Sequence, residues 1–296
     1  MESQLAELRR LASRAENKRT ETGIPRVGMV KGPIPQHELT AVFDPMINVI
    51  LSGSKSLTIG NATLLYDPAT YFVMTLDLPA VGALHPAPSG EPYLAVSLTI
   101  DPQVVGSMLA GAGAPAPEET SSGSFSVASV TPELLDAWVR MLRLIDRPSE
   151  IPILAPVFER EILYRVLQGP HGSKLRDIAM PDTALSRISL AIQWIRDNFT
   201  EVLRVELLAE IAAMSTSAFH RHFKAATSMS PLQFQKRIRL LQARTLLMGG
   251  GRTTSAVALD VGYESGSQFS REYSRFFGTP PAADTDAVMR SLGCAA

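Results

Sequence analysis

The sequence contains a single cysteine, Cys294, which excludes a disulfide within the chain and fits a reducing compartment such as the cytoplasm. No apolar run approaches the roughly 20 residues that a membrane-spanning helix requires, so no membrane association is expected. Glycine-rich phosphate loops and the Gly-x-Ser-x-Gly nucleophile motif are also missing. These absences argue against a disulfide-linked secreted protein, a membrane protein and the commonest nucleotide-dependent or serine-based enzymes.

Histidine is scarce, and its spacing does not suggest a metal site. Of the five histidines, only His37 and His85 fall in the strand-rich part of the chain, with no His-x-His pair and no glutamates at ligand spacing. His220 and His222 are two residues apart on a predicted helix, so they point in different directions. We therefore expect no metal, no cofactor and no catalytic residues.

The net charge of −1 hides an uneven distribution along the chain. Residues 1–187 hold 16 Lys and Arg against 20 Asp and Glu, a net charge of −4. Residues 188–281 hold 11 against 7, a net charge of +4. A basic segment joined to an acidic body is a weak indication of a polyanionic partner.

Residues 39–100 have the pattern of a β domain. Short apolar runs alternate with turn residues, and Gly60-Asn61 lies between two β-prone segments as a two-residue hairpin loop. Because no helical pattern separates these runs, we expect antiparallel strands in a barrel or a sandwich. Residues 110–124 are of low complexity and are expected to form a loop.

Helical patterns follow the predicted strands. Thr131, Pro132 and Glu133 form a helix start, and a second helix is expected over about 156–168. The first of these helices carries an apolar stripe, formed by Leu134, Trp138, Met141, Leu142 and Ile145. The stripe packs either on the barrel of its own subunit or in a homodimer seam. The predicted organisation is a domain over 1–168, a connector over 169–187 and a helical domain over 188–296.

The helical domain contains one pattern twice. The first helix of each copy has an apolar face, formed by Leu207, Leu208, Ile211 and Ala212 in one copy and by Ala256, Val257, Val261 and Tyr263 in the other. After a turn at Met214-Ser215 or at Gly262, a serine can cap a second helix. The second helices bury aromatic residues, which are Phe219 and Phe223 or Phe269, Tyr273 and Phe276. Small residues at matching positions, Ala209 and Ala258, let the two helices cross closely, as a helix-turn-helix requires.

An 18-residue helical pattern over 231–248 separates the two copies. At about 1.5 Å per residue it gives a rod of ~27 Å. With the helix widths added, two recognition helices would lie about one DNA turn apart, which is ~34 Å. One subunit is then expected to enter two successive major grooves of double-stranded DNA.

The region from about 188 to 281 closely resembles the AraC/XylS family of bacterial transcription regulators. The signature is "GYESGSQFSREYSRFFGTPP", with "AEIAAMSTSAFHRHFKAATSMSP" upstream. Residues 20–165 also resemble the N-terminal domain of one AraC subgroup, through "FDPMINVILSGSKSLTIGNATLLYDPATYFVMTLDLPAVG" and "EPYLAVSLTIDP". One departure from the family pattern is Ala213, where glycine is common near the turn.

The resemblance implies an α+β protein of two domains. One is a cupin-like antiparallel β-barrel with flanking helices, which senses a small molecule or mediates assembly. The other is an all-α domain in which a long helix joins two helix-turn-helix motifs. The implied function is sequence-specific regulation of transcription at promoter sites, most often activation, by a cytoplasmic homodimer with RNA polymerase as a further partner.

The family also implies which side chains contact DNA. Outward residues of both recognition helices read base edges, and the matching positions here are Ser217, His220, Arg221, Ser267, Gln268 and Arg271. Their chemistry agrees, since arginine bonds guanine O6 and N7 and glutamine bonds adenine N6 and N7. Three further residues are expected to contact phosphates and set the register: Lys224, Ser270 and Arg275.

The barrel is expected to hold a small, largely apolar effector fixed by one or two polar groups. Its candidate contacts are Phe43, Tyr71, His85 and Tyr93, although the aromatic residues also suit core positions and the histidine a surface loop. Small barrels are often filled by their own side chains, so a cavity does not follow from the pattern. Two alternatives to an effector-controlled regulator stay open: a cupin-type enzyme fused to a helical domain, and a ligand-independent architectural DNA-binding protein.

Overall fold

The computed structural model describes residues 1–68, 70–112 and 123–291. Cys294 and residues 113–122 of the low-complexity segment lie outside the described residues. The chain divides into two compact units. The first comprises Met1–Ser189 with Arg221–Ser228, and the second comprises Leu190–His220 with the chain from Met229 onward.

Antiparallel strands form two sheets in the first unit. The strands are β1 (Arg19–Glu21), β2 (Val27–Lys31), β3 (Thr40–Phe43), β4 (Met46–Ser52), β5 (Ser54–Ile59), β6 (Ala62–Tyr66), β7 (Thr70–Met74), β8 (Leu78–His85), β9 (Leu94–Thr99) and β10 (Phe125–Ser129). One sheet has the order β1-β2-β9-β4-β7-β10, and the other has the order β3-β8-β5-β6. The predicted cupin-like fold is confirmed, but among the described residues no strand pairing closes the two sheets into a complete barrel.

Two turn signals in the sequence direct this topology. The step at Asp44-Pro45 separates β3 from β4, and the two strands belong to different sheets. Gly60-Asn61 closes the hairpin between β5 and β6, in which Ile59 pairs with Ala62 and Gly60 has a φ of 60°. A two-residue hairpin loop needs such positive φ values, so the predicted hairpin is confirmed.

Helices of the first unit pack on one face of the six-stranded sheet. They are α1 (Glu2–Ala12), α2 (Pro102–Ala112), α3 (Pro132–Arg143), α4 (Ile151–Leu167) and α5 (Gly172–Ala179). Thr131 caps α3 as predicted, because its side chain accepts a hydrogen bond from Leu134 N at 3.3 Å. Helix α4 begins about five residues earlier than expected, since Pro152 stands in the first turn, where no backbone N–H is needed. The predicted connector contains α5.

The apolar stripe of α3 lies in the core of its own chain. Four of its residues, Leu134, Trp138, Met141 and Leu142, are at most 2% exposed, and Ile145 packs against the same cluster. The cluster joins them to sheet residues such as Val49 and Val96. A homodimer seam would need these side chains at the surface. The stripe is therefore an intramolecular core, and the seam interpretation of it is wrong.

The remaining described helices carry the repeated pattern. They are α6 (Ala184–Asp197), α7 (Val205–Ile211), α8 (Thr216–Thr227), α9 (Pro231–Met248), α10 (Thr254–Asp260), α11 (Gly266–Phe277) and α12 (Pro281–Ser291). Helix α9 has the predicted 18 residues. Its start is fixed by a capping box, in which Ser230 Oγ accepts from Gln233 N and Gln233 Oε1 accepts from Ser230 N. No helix within the described ranges has both the length and the apolar character to cross a membrane.

Candidate nucleic-acid interface

Both helix-turn-helix motifs turn in the same way. The chain takes a left-handed conformation at Ala213 (φ 49°) and at Gly262 (φ 87°). The next residue bonds back to the first helix, from Met214 N to Ala209 O and from Tyr263 N to Ala258 O, each at 2.9 Å. Glycine adopts positive φ without steric cost, whereas alanine does not. The departure at Ala213 thus falls on the one strained residue of the first turn.

The second helices begin with equivalent caps. Ser215 Oγ accepts from Ala218 N at 3.3 Å, and Ser265 Oγ accepts from Gln268 N at 3.4 Å. The two left-handed residues, 213 and 262, are 49 positions apart, whereas the two caps, 215 and 265, are 50 apart. The second turn is therefore one residue longer, by Glu264.

This offset decides which recognition residues are structurally equivalent. Ser217 corresponds to Ser267, and Arg221 corresponds to Arg271. His220 instead corresponds to Ser270, and Gln268 corresponds to Ala218, as can be read from the sequence once the caps are aligned. The two motifs thus share a serine and an arginine at the same places on their recognition helices and differ at the other two positions.

Buried aromatic residues fix the orientation of each recognition helix. Phe219 and Phe223 on α8, and Phe269 and Tyr273 on α11, are fully buried. In the second motif the ring of Phe269 lies 5.3 Å from that of Tyr263. Phe276 is half-buried against the same cluster, while Ala256, which was expected to face inward, is exposed. Because one face of each helix is held by these rings, the opposite face is held toward solvent.

The predicted DNA contacts lie on those solvent-facing sides. The exposed residues are Ser217, His220, Arg221 and Lys224 on α8, and Ser267, Gln268, Arg271 and Arg275 on α11. Ser270 is half-buried, and its backbone carbonyl accepts a hydrogen bond from Ser274 Oγ at 2.7 Å. Each recognition helix therefore presents a polar and basic surface that a major groove could receive. The assignment of individual residues to bases or phosphates stays a prediction.

The cations on these faces have no acidic partners that the described structure shows. Within the described part of the chain, none of Arg221, Lys224, Arg271 and Arg275 forms an ion pair with a carboxylate. Elsewhere in the same fold exposed arginines are paired, as Arg252 is with Asp260 at 2.9 Å. Arg221 has a side-chain contact, at 3.4 Å from His222 Nε2. Arginine and lysine that no carboxylate neutralises are available to phosphate oxygens and base edges.

Glu272 connects the recognition helix α11 to α9 and to the turn before α11. Its carboxylate accepts hydrogen bonds from Lys236 Nζ at 2.7 Å, Tyr263 OH at 2.9 Å and Gln268 Nε2 at 3.1 Å. Burial raises the pKa of this carboxyl, but the three hydrogen bonds outweigh it, so the pKa is lowered overall. The charged carboxylate thus holds one end of the Gln268 amide and leaves the other end toward solvent. Glu272 is not among the predicted site residues, although its spacing of four from Gln268 was a usable signal.

Arg239 on α9 fastens the turn of the second motif. Its guanidinium donates to the backbone carbonyls of Phe199, Thr200, Glu201 and Gly262 at 2.7 to 3.0 Å. These bonds hold the end of α6 against the turn before α11. Because its partners are backbone atoms, no side-chain pattern in one sequence marks this residue.

The first unit contains a cavity of about 250 Å³ between its two sheets. Phe43 and Tyr93, two of the candidate effector contacts, line it. Tyr71 does not, since it belongs to the core cluster on the opposite face of its sheet, where its ring meets that of His171 edge-on at 4.9 Å. His85 does not line the cavity either; it ends β8 at the surface, with Nε2 3.2 Å from Ser56 Oγ.

Two polar residues outside the predicted set also line the cavity. They are Lys55 on β5 and Asn48 on β4, which are 7% and 4% exposed. The alternation in β5 was the available signal, because Lys55, Leu57 and Ile59 share one face of the strand and are all buried. Across residues 1–68, 70–112 and 123–291, no three His, Cys, Asp or Glu side chains are grouped so that they could hold a metal ion.

Comparison with known proteins follows the same division of the chain. Residues 23–174 match the family model described as the AraC-type transcriptional regulator N-terminus, and residues 208–286 match a helix-turn-helix domain model. The transcriptional activator RhaS of Escherichia fergusonii is 27% identical over 143 residues, which are 48% of this chain and 51% of RhaS. RhaS of Escherichia coli O1:K1 is 25% identical over 174 residues, 58% of this chain and 62% of RhaS.

Solved structures of ToxT from Vibrio cholerae share the fold. An apo lysine-to-alanine variant superposes with a TM-score of 0.57 at 12% identity, covering 88% of this chain and 97% of ToxT. Wild-type ToxT with a bound unsaturated fatty acid gives 0.51 at 13% identity, covering 83% of this chain and 88% of ToxT. The present chain spans about half to three fifths of the length of the curated relatives it matches. Since the N-terminal family model alone covers just over half of the sequence, the chain belongs to the AraC-type family of transcriptional regulators.

Proposed function

We propose that this protein is a sequence-specific DNA-binding regulator of transcription, acting as an activator. The observation that carries the proposal is the pair of equivalent arginines, Arg221 and Arg271, each exposed on a capped recognition helix and without an ion pair among the described residues. The matching serines, Ser217 and Ser267, accompany them at the helix starts. One base-reading arginine on each motif suits a bipartite site with one contact in each of two major grooves.

The test is a DNA-binding titration of the full chain against the duplex upstream of its own gene. Fluorescence anisotropy at two salt concentrations, with a random duplex in parallel, gives the specificity ratio. We expect Arg271→Ala to weaken cognate binding by about 1–3 kcal/mol and to leave random binding nearly unchanged. Arg252→Ala is the matched control, because Arg252 is also exposed in the second unit but is paired with Asp260. Equal affinity of the wild type for both duplexes would overturn the proposal.

Lys224 is proposed to contact a phosphate rather than a base. Its exposed ammonium forms no ion pair within the described residues and stands one turn beyond Arg221 on α8. Lys224→Ala is expected to weaken cognate and random binding alike and to reduce the slope of log K against log salt by about one. A loss confined to the cognate duplex would instead identify Lys224 as a base reader.

Control by a small molecule is the second part of the proposal. The cavity between the sheets supports it, since it is lined by apolar side chains and a few polar ones. An effector must bind one arrangement of the protein better than another to change DNA affinity.

We further propose that the protein acts in the cytoplasm, contacts RNA polymerase and has no enzymatic activity of its own. Activation of a reporter promoter in a reconstituted transcription assay tests the polymerase contact.

A homodimer is proposed through α4 rather than α3. The outer face of α4 exposes Ile153, Val157 and Tyr164, which are 73%, 55% and 49% exposed and lie at helical spacing. A second copy of the same face would cover these side chains, and two subunits lengthen the DNA site that is read. Sedimentation of Val157→Glu is expected to show a folded monomer, while Leu65→Glu, at an equally exposed leucine of the same unit, stays dimeric. A dimeric Val157→Glu would refute this seam.

A further inference from the structure

The cavity between the two sheets combines apolar walls with one buried cation. Val30, Val42, Phe43, Met46 and Leu84 supply much of its apolar surface. Lys55 enters from β5, with only 7% of its surface exposed. A lysine side chain usually carries its ammonium out to water, so an inward-facing lysine on a strand is unusual.

The ammonium of Lys55 has no counter-ion in the part of the chain that the structure describes. Among the described residues, neither a carboxylate nor a hydrogen-bond acceptor lies within bonding distance of its Nζ. Its one partner within the described ranges is the ring of Phe43, whose centroid is 4.8 Å from Nζ. A ring face attracts a cation but accepts no conventional hydrogen bond from its N–H groups. A buried ammonium left in this state is costly unless something pairs with it.

Other charged groups at the cavity are engaged or exposed. Arg19 pairs with Glu21 at 3.3 Å on the surface side, and Glu38 and Asp44 are exposed. Tyr93 is buried, and burial raises the pKa of its hydroxyl, so this side chain stays neutral. Lys55 is therefore the one buried charge among the residues lining the cavity.

A second unsatisfied atom lies on the facing sheet. Asn48 donates from Nδ2 to Val96 O at 3.2 Å, while its Oδ1 is buried and accepts no hydrogen bond from any described residue. An amide oxygen in this position can accept from an N–H or O–H group of a ligand. The cavity thus offers one cation and one acceptor among apolar walls.

We infer that this cavity binds a small organic acid, whose carboxylate pairs with the ammonium of Lys55 and whose apolar body lies against Phe43 and its neighbours. The inference deepens the proposed effector control by naming the chemical class of the effector. A carboxylate fits because it supplies both the opposite charge and the acceptors that the ammonium lacks. The volume of about 250 Å³ is small for a ligand site, so a short acid is favoured over a long acyl chain.

The test is the binding of short monocarboxylates to the full chain. Hexanoate is the probe, and hexanamide, of nearly the same shape but neutral, is its control. Isothermal titration and the shift of the melting temperature measure binding. We expect hexanoate to bind at least ~10-fold more tightly than hexanamide, because hydrogen bonds with a charged partner are the stronger kind.

The matched variants are Lys55→Met and Lys18→Met. Methionine keeps the length of the buried side chain and removes its charge, whereas Lys18 is exposed and already paired with Glu16. Lys55→Met is expected to melt at a higher temperature than the wild type without ligand and to lose the preference for hexanoate. Lys18→Met is expected to behave as the wild type does. Equal binding of hexanoate and hexanamide, or unchanged hexanoate binding by Lys55→Met, would overturn the inference.

The pH dependence of binding provides a separate check. Burial lowers the pKa of Lys55 to about 8, so the ammonium is lost from the empty cavity at mildly alkaline pH. Hexanoate affinity is then expected to fall roughly tenfold per pH unit above this value, while the affinity for hexanamide stays constant. A flat profile for hexanoate up to pH 9.5 would contradict the assigned role of Lys55.

Failure of the carboxylate inference can be distinguished from failure of the proposed regulatory function. Binding of hexanoate needs no DNA, and specific DNA binding is measured without hexanoate. A chain that binds hexanoate through Lys55 but discriminates no duplex would overturn the regulatory function alone. A chain that discriminates its own upstream duplex but treats hexanoate and hexanamide alike would overturn the carboxylate inference alone.

Discussion

The two turns of the helix-turn-helix motifs allow a glycine-to-alanine substitution in one turn to be compared with the reverse substitution in the other. Gly262 and Ala213 occupy the same left-handed position, at φ values of 87° and 49°. We expect Gly262→Ala to destabilise the second unit and Ala213→Gly to stabilise it slightly. The residue types differ in the two copies, whereas the backbone bonds that close the turns are the same.

The magnitudes follow from the backbone and from the space around it. A non-glycine residue in the left-handed region costs about 1–2 kcal/mol. Glycine in place of alanine lowers the free energy of unfolding by about 0.4–1 kcal/mol, because it gives the unfolded chain more conformational freedom. At position 213 the two terms leave about 0.5–1 kcal/mol in favour of glycine. At position 262 an added Cβ would also lie 2.6 Å from Thr200 O and 2.9 Å from an Arg239 nitrogen. The Arg239 side chain and the backbone that it bonds must therefore move. The expected loss there is about 2 kcal/mol or more.

The assay is urea unfolding of the full chain, followed by tryptophan fluorescence. The chain has two tryptophans, of which Trp194 is in the second unit, so a Trp138→Phe background reports on that unit alone. Both variants are compared with that background at the same pH. Equal destabilisation by the two substitutions, or an unchanged midpoint for Gly262→Ala, would refute the steric account of these turns.

Two further predictions concern ionisable groups. Burial lowers the pKa of His171 to about 4 from an ordinary value of 6.5, so the unfolded chain takes up the proton first as the pH falls. As the pH falls between these values, the free energy of unfolding of the first unit should decrease by about 1.4 kcal/mol per pH unit. His171→Phe, monitored through Trp138 fluorescence, should remove that slope, and an unchanged slope would contradict this prediction. Glu272→Gln should reduce the ratio of cognate to random DNA affinity about 3- to 10-fold, because it releases Gln268. Glu264→Gln removes the same charge from an exposed site and should leave this ratio unchanged. Equal effects of the two substitutions would show that the charge alone is responsible.

Local signals account for most of what the sequence predicted correctly. The hairpin at Gly60-Asn61, the cap at Thr131 and the length of α9 all depend on residues within a few positions of one another. The strands that escaped prediction depend on distant partners. Strand β2 pairs with β9 and β10 pairs with β7, each about 50 or more residues away, and nothing in their own short sequences identifies those partners.

The effector candidates show where pattern reasoning stops. β7 reads as a continuous apolar run because both faces of the six-stranded sheet are covered, one by helices and one by the other sheet. Alternation alone cannot tell which face meets the helices, so the pattern does not exclude Tyr71 from the cavity side. β5 is different, since its polar and apolar residues alternate, and the inward position of Lys55 was readable.

Exposed and buried cations without a counter-ion differ in how strongly they indicate an anionic partner. Arg271 and Arg275 are exposed, and an exposed cation without a partner is well solvated, so its state costs the fold little. The case for DNA contact therefore needs the repeat, the caps and the buried rings that hold both helices in equivalent orientations. Lys55 is buried, and its isolation is costly in the absence of a ligand. One such residue indicates an anionic partner more strongly than several exposed ones do, because among the described residues no acceptor lies within bonding distance of its ammonium.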